Sequence, residues 1–317
     1  MIKERTIFIL GAGASKPYGL PTGPELKADI LYFLNRPGQK LLSIRNYSRL
    51  KYSGNSRDLI RNAAGVTESG IDRFVRDFDR SPISSIDSFI SKRSDYSVLG
   101  RTAIAFVISL SEKSNELFAS SDNWMGKLFE YMMVDTYPSN FSSHQIKFIT
   151  YNYDRSLEFY LLDSLKTSFG IDDTEAAKIL KQISIYHVHG KLAGLIQLRE
   201  SHSKEYNGIV KDADQLAGLK DHIRIVSDKE NVYQPDEMLM HIFDYAKRVY
   251  FLGFSFNQEN INKLKLNKYA PKDVIIKGSC YGMSKQEKKR VESIFDSKIE
   301  LHKMKNLEFL REEIELI

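Results

Sequence analysis

Short apolar runs, each closed by small or polar residues and separated by helical patterns, constrain this chain more than any other feature. "TIFIL" (6–10), "IKFIT" (146–150), "SIYHV" (184–188), "RVYFLGF" (248–254) and "DVIIK" (273–277) form the set, with "KIELHKM" (298–304) as an edge strand. Strands that are apolar almost throughout, rather than alternating with polar residues, belong to a parallel sheet covered on both faces. The pattern predicts an α/β fold, a Rossmann-like parallel sheet with helices on both faces.

Helix starts are marked by local chemistry. Pro24 fits the first turn of a helix running to about Asn35, and Asp154 opens "RSLEFYLLDSL". Pro235-Asp236 opens "EMLMHIFDYAK", and Ser284 with Glu287 has the spacing of a capping box. Between the first two strands lie about 110 residues of helical periodicity, including "SIDSFISKR", "TAIAFVISLSEKSNELF" and "WMGKLFEYMMVDTY". Residues 37–142 are read as an inserted helical module, and 1–36 with 143–317 as the Rossmann-like domain. The alternative is that these helices complete the cover of the sheet. A polar segment, 191–222, reads as a second, mixed surface insertion.

At 317 residues the chain is long enough for one large domain or a core with a second module. Its net charge of +5, from 46 basic and 41 acidic residues, is too mild and too dispersed to predict direct nucleic-acid binding. A single cysteine, Cys280, excludes an intramolecular disulfide framework and a cysteine zinc site. The longest strongly apolar run, 102–110, is too short to span a bilayer. "MIKERTIFIL" reads as a first strand rather than a signal peptide, so a soluble cytoplasmic protein is expected.

The strand ends carry the chemistry. Gly11, Gly13 and Ser15 follow the first strand, where glycines let backbone amides approach a phosphate and a following helix adds its positive end. Lys16 stands where a dinucleotide fingerprint has its third Gly or Ala, so phosphate binding and a structural turn both stay open. Asn152 and Asp154 follow the second strand, as ligand groups or as turn former and N-cap. His187 and His189 share one side of an extended strand, and no third ligand is spaced for a metal. Gly253 permits close approach, and Ser255 suits a sugar hydroxyl or a cap for the helix near Asn257. Cys280 has no feature that would depress its thiol pKa. In a parallel sheet all these ends lie on one edge, which predicts a nucleotide-sized crevice there.

Taken in order, these motifs resemble the sirtuin superfamily. Gly11-Ala12-Gly13-Ala14-Ser15 followed by Gly19-Leu20-Pro21 has the spacing of that family's first NAD loop. Thr150-Tyr151-Asn152-Tyr153-Asp154 is similar to its Thr-x-Asn-x-Asp motif, His189-Gly190 to its His-Gly, and Gly253-Phe254-Ser255 to its Gly-x-Ser. Protein deacylases of the family carry a four-cysteine zinc module, which this chain cannot form, and continue with Asp-Phe-Arg where Thr22-Gly23-Pro24 stands here. With "SIDSFI" at 85–90, the chain looks instead like the bacterial sirtuin-like NAD hydrolases of anti-phage defence.

The resemblance implies an inducible NAD-depleting effector that hydrolyses the nicotinamide–ribose bond to nicotinamide and ADP-ribose, without a metal. It implies a homo-oligomer and a partner such as a HerA-type ATPase or a short Argonaute. Carried over by motif, Asn152 holds the ribose and orients water, and Asp154 accepts from the nicotinamide carboxamide. His189 is a general base whose ordinary pKa near ~6.5 suits neutral pH. Residues Gly11, Ala12, Gly13, Ala14 and Ser15, with Pro21, cradle the pyrophosphate, and Gly253 and Ser255 contact the adenosine ribose. The alternatives are a non-catalytic NAD- or ADP-ribose-binding regulatory subunit, a deacylase or ADP-ribosyltransferase, and an oligomerisation subunit whose nucleotide is structural.

Overall fold

The computed structural model describes residues 1–35, 52, 54–200, 202–225 and 235–316. The predicted start of the insertion at 37 lies outside the described residues. Six strands form the main sheet: β1 (Thr6–Leu10), β2 (Ile146–Thr150), β3 (Ser184–His187), β4 (Arg248–Leu252), β5 (Ile275–Ser279) and β6 (Ile299–His302). Their order is β3-β2-β1-β4-β5-β6 and every neighbouring pair is parallel. This is the doubly wound Rossmann-like order, with its switch point between β1 and β4. A separate two-residue parallel pairing joins Gly194–Leu195 to Ser203–Lys204.

Strand periodicity sorts the apolar residues onto two faces. Phe8, Leu10, Phe148, Tyr250 and Leu252 enter one core, while Ile7, Ile9, Ile149, Val249 and Phe251 enter the other. Both faces are therefore buried, which is why these strands are apolar throughout. The 248–254 run stops as a strand at Leu252, because Gly253 turns with φ +55°. β5 starts two residues later than the apolar run at 273, after the turn in which the Val274 amide donates to the Pro271 carbonyl. β6 forms the sheet edge, as expected from its sequence.

A third apolar core belongs to a helical layer. It gathers α1 (Gly23–Leu34), α2 (Ser56–Ala64), α3 (Glu68–Arg80), α4 (Ile86–Lys92) and α5 (Ser97–Ser111) around Ile30, Phe74, Phe78, Phe89 and Phe106. Leu192 and Leu216 from the second insertion join it, with Ile223 just beyond that segment. The packing does not follow the 37–142 boundary. α1, which precedes that boundary, packs with the helical layer, where its Leu26, Ile30 and Leu34 are buried. α6 (Trp124–Met133), which lies within it, buries Trp124, Leu128 and Met132 in the same core as Phe8 and Tyr250. α7 (Ser156–Phe169) and α8 (Asp173–Leu180) cover that face with α6. α9 (Pro235–Asp244), α10 (Gln258–Leu264) and α11 (Lys285–Ile294) contribute to the core on the opposite face.

The caps follow the sequence in part. The Thr22/Glu25 box opens α1, and the Ser284/Glu287 box opens α11. α10 is capped by Asn257, whose side chain accepts from the Asn260 amide at 2.8 Å, so Ser255 is not its cap. No helix among the described residues is long and apolar enough to cross a membrane.

Phe148 is fully buried on β2 and its ring stacks on Phe8 at 5.7 Å. Phe148→Ala is expected to cost about 3–5 kcal/mol through lost burial and a residual cavity. Urea unfolding of the two chains measures it, and a loss below about 1 kcal/mol would contradict this packing.

Candidate functional site

The loops after β1 and β4 meet at the switch point, backbone against backbone. The Gly11 amide donates to the Leu252 carbonyl at 3.0 Å and the Gly13 amide to the Gly253 carbonyl at 2.9 Å. A Cβ on Gly11 would lie 2.6 Å from the Gly253 oxygen, and one on Gly253 would lie 2.0 Å from the Ala14 nitrogen. Only glycine fits such distances, and Gly253 also needs its positive φ. The expectation that the Gly11 and Gly13 amides face a phosphate is corrected by this geometry, since both are bonded to protein carbonyls.

A polar bridge locks the two loops. The Asn306 side chain donates to the Gly13 carbonyl at 3.0 Å and accepts from the Ser279 hydroxyl at 3.0 Å. That hydroxyl in turn accepts from the Gly253 amide at 3.2 Å. α6 reaches the same loop, where the Trp124 indole donates to the Ala14 carbonyl at 2.7 Å. Ala12 is half-buried, Pro21 is buried just before the α1 cap, and Ser255 is exposed at the rim beside Gly253.

Asn152, Asp154 and Ser15 form one hydrogen-bonded group. The Asn152 side-chain NH2 donates to the Gly11 carbonyl at 3.0 Å and to the Ser15 hydroxyl at 2.9 Å. The Asn152 Oδ1 is buried and has no hydrogen-bond partner. The Ser15 hydroxyl donates to Asp154 Oδ1 at 3.3 Å, which also accepts from the Ser156 amide at 3.1 Å. The Asp154 carboxylate thus turns the chain into α7 two residues ahead of the helix. Burial pushes its carboxyl up from the ordinary value, against the bonds from Ser156.

His189 sits in an aromatic cage. Its ring centroid lies 5.4 Å from that of Tyr151 and 5.9 Å from that of Tyr153, the residues flanking Asn152. Burial, helped by the positive charge of Lys263, lowers its pKa to about 3, against a hydrogen bond with Asn260. The expected near-neutral value is therefore corrected: His189 is a neutral imidazole and a weak base. His187 and His189 also part company. β3 ends at His187, so the two-residue period does not carry on to 189. His187 bonds the Asn152 carbonyl and Glu158, while His189 enters the cage. Gly190 ends this turn with φ +67°, and a Cβ there would lie 2.1 Å from the His222 carbonyl.

The helical layer reaches the cage from α4. The Tyr153 hydroxyl is hydrogen-bonded to Asp87, whose carboxyl burial pushes up to about 6, against the pull of Lys263. Behind the site, fully buried Arg155 bonds both oxygens of Glu112 and the carbonyls of Gly194 and Lys204. Burial pushes the Cys280 thiol up, so it stays protonated. Among the described residues, no three His, Cys, Asp or Glu side chains gather as metal ligands.

The structure thus brings Gly11, Ser15, Asn152 and Asp154 into direct contact, and joins His189 to them through Tyr151 and Tyr153. Sequence reading gave no role to Asn306, Asp87, Glu158 or Lys263. Only "SIDSFI" carried a sign of one of them, Asp87. No protein-family model matches the chain, and no curated protein matches it.

Two outcomes follow. Gly253→Ala is expected to destabilise the chain by at least ~1–2 kcal/mol, the cost of a left-handed residue with a Cβ, and chemical unfolding measures it. Equal stability would contradict the loop contact. His189, lowered from ~6.5 in the unfolded chain to about 3, makes the unfolded state bind more protons between those values. Stability therefore falls as pH drops through that window, by ~1.4 kcal/mol per pH unit per such group. His144, lowered by burial to about 4, adds in the same direction. Unfolding at pH 7, 6, 5 and 4 should show a shallower loss for His189→Gln, and an unchanged slope would contradict the buried neutral ring.

Proposed function

We propose that this chain is an NAD glycohydrolase that breaks the nicotinamide–ribose bond and releases nicotinamide and ADP-ribose. The observation that carries the reading is Asn152. Its NH2 group is fixed by Gly11 and Ser15, while its Oδ1 is buried without a partner. Leaving a buried acceptor unmade costs about 1–3 kcal/mol, so the position favours a donor brought by ligand or water. A ribose hydroxyl and the attacking water are both such donors.

In the reaction, water adds to the ribose carbon as the bond to the nicotinamide nitrogen breaks. The bonding electron pair leaves with the ring nitrogen, and the water's proton passes to a base or to solvent. The transition state is oxocarbenium-like, so fixed dipoles aimed at the ribose matter more than strong acids. Asn152 orients the water and His189 accepts from a ribose hydroxyl. Ser15 and Asp154 hold Asn152 in place, and Asp154 would accept from the nicotinamide carboxamide. The loop at 12–15 would face the pyrophosphate and Ser255, at the exposed rim, the adenosine ribose. The resemblance to sirtuin-like defence proteins supports an inducible, NAD-depleting role. It also supports a homo-oligomer acting with a partner such as a HerA-type ATPase or short Argonaute.

One observation favours a second reading, a non-catalytic NAD- or ADP-ribose-binding regulatory subunit. His189 is enclosed, only 4% exposed, and too weak a base in this state to take a full proton.

Chromatography of NAD incubated with the chain separates the readings. Equal amounts of nicotinamide and ADP-ribose are expected, with kcat lowered ~10²–10⁴-fold in Asn152→Ala and His189→Ala at unchanged circular dichroism. Tight NAD binding with no nicotinamide released would favour the binding subunit, and near-normal turnover by His189→Ala would remove its assigned role.

A further inference from the structure

The second histidine of "HVHG" is explained by the cage, whereas the first is held in a way that fixes its charge. His187 Nδ1 lies 3.0 Å from the Asn152 carbonyl oxygen, and its Nε2 lies 2.9 Å from Glu158 Oε1. A carbonyl and a carboxylate only accept hydrogen bonds. A neutral imidazole has one N–H, so it would turn a lone pair toward one of these two oxygens. The contacts are both satisfied when both ring nitrogens carry hydrogen. Glu158, in the first turn of α7, is buried with His187, and its second oxygen Oε2 has no hydrogen-bond partner. Burial opposes its charge, but His187 and Lys191 outweigh burial and bring its carboxyl down to about 2. It is thus an acceptor, not a donor, across the pH range of function.

Glu158 also ties the far end of the turn. Lys191 Nζ lies 3.4 Å from Glu158 Oε1 and 2.9 Å from Glu200, which accepts from the Leu195 amide at 3.0 Å. The charged groups facing this cluster are therefore Glu158 on α7, Lys191 on the turn and Glu200 beyond it. Arg155, one residue before α7, adds positive charge that couples to Glu158. The Glu158 carboxylate thus holds both ends of the turn that carries His189, and His187 relays that hold to the Asn152 carbonyl.

We propose that Glu158 and a doubly protonated His187 form a positioning pair that fixes Asn152 and the His189 turn. The two histidines of the motif then differ in protonation, His187 carrying hydrogen on both ring nitrogens and His189 neutral. The functional consequence rests on the reading of Asn152 and His189 as an NAD site. Losing either ring-nitrogen contact would free the Asn152 carbonyl or the start of the His189 turn, so turnover falls when the pair is broken.

The test is histidine-selective ¹⁵N NMR of the full chain, with His187 assigned from the signal lost in His187→Gln. At neutral pH His187 is expected to carry hydrogen on both ring nitrogens, and in Glu158→Gln to lose one. In a second, uniformly ¹⁵N-labelled sample the Asn152 side-chain NH2 signal, assigned by its loss in Asn152→Ala, should shift in the same variant. In turnover, Glu158→Gln is expected to lower kcat at least ~10-fold, with a smaller change in KM. A single neutral tautomer of His187 in the wild type, or an unmoved Asn152 signal in Glu158→Gln, would overturn the pair. If the wild type releases no nicotinamide, the NAD reading falls and the two NMR signals still decide the pair.

Discussion

Everything near the carboxyl edge depends on the contact between two backbones at the centre of the sheet. The loops after β1 and β4 lie at the switch point of the strand order, where an open α/β sheet usually leaves a crevice. Here Gly11, Gly13 and Gly253 bring those loops within direct hydrogen-bonding distance of each other. The glycines are required by this approach, whatever ligand the edge receives. Because the Gly11 carbonyl is fixed by the contact, it can hold the NH2 group of Asn152, and that bond leaves the Asn152 oxygen without a partner. The character of the site thus derives from packing at one point in the fold.

Electrostatics at the edge follow from enclosure. The aromatic cage removes water from His189 and keeps it neutral, while Asp87 and Lys263 set opposite charges close by. Two residues earlier, His187 sits between acceptors beside the paired Glu158. The same residue type is thus steered in two directions within one turn, because β3 ends between them and their side chains enter different layers. The buried Arg155–Glu112 pair ties the start of α7 to the end of α5. Breaking such a pair strands a buried charge, so the helical layer and the site are coupled through it.

The sheet was legible because its strands are buried on both faces. Apolar runs located β1 and β2 to the residue, and β4 was overrun only past the turn at Gly253. The partition of helices was not legible, since the apolar stripe of α6 has nothing in its own sequence to say that it meets Phe8 rather than Phe106. Asn152, Asp154 and Ser15 were singled out by position, and the structure joins all three. The loss of basicity at His189 was invisible, as it arises from Tyr151 and Tyr153 on another strand's end. Asn306 was equally hidden, because it bonds the Gly13 carbonyl from 293 residues away. The glycines were read correctly as close-approach residues, but the partner they approach is a second loop.

The most direct test of the site is a crystal structure of the Asn152→Ala chain with NAD. The nicotinamide ribose is expected at the carboxyl ends of β1 and β2, with its hydroxyls toward His189 and its reactive carbon beside position 152. NAD bound away from the carboxyl ends of β1, β2 and β4, with His189 still closed in its cage, would contradict the assignment.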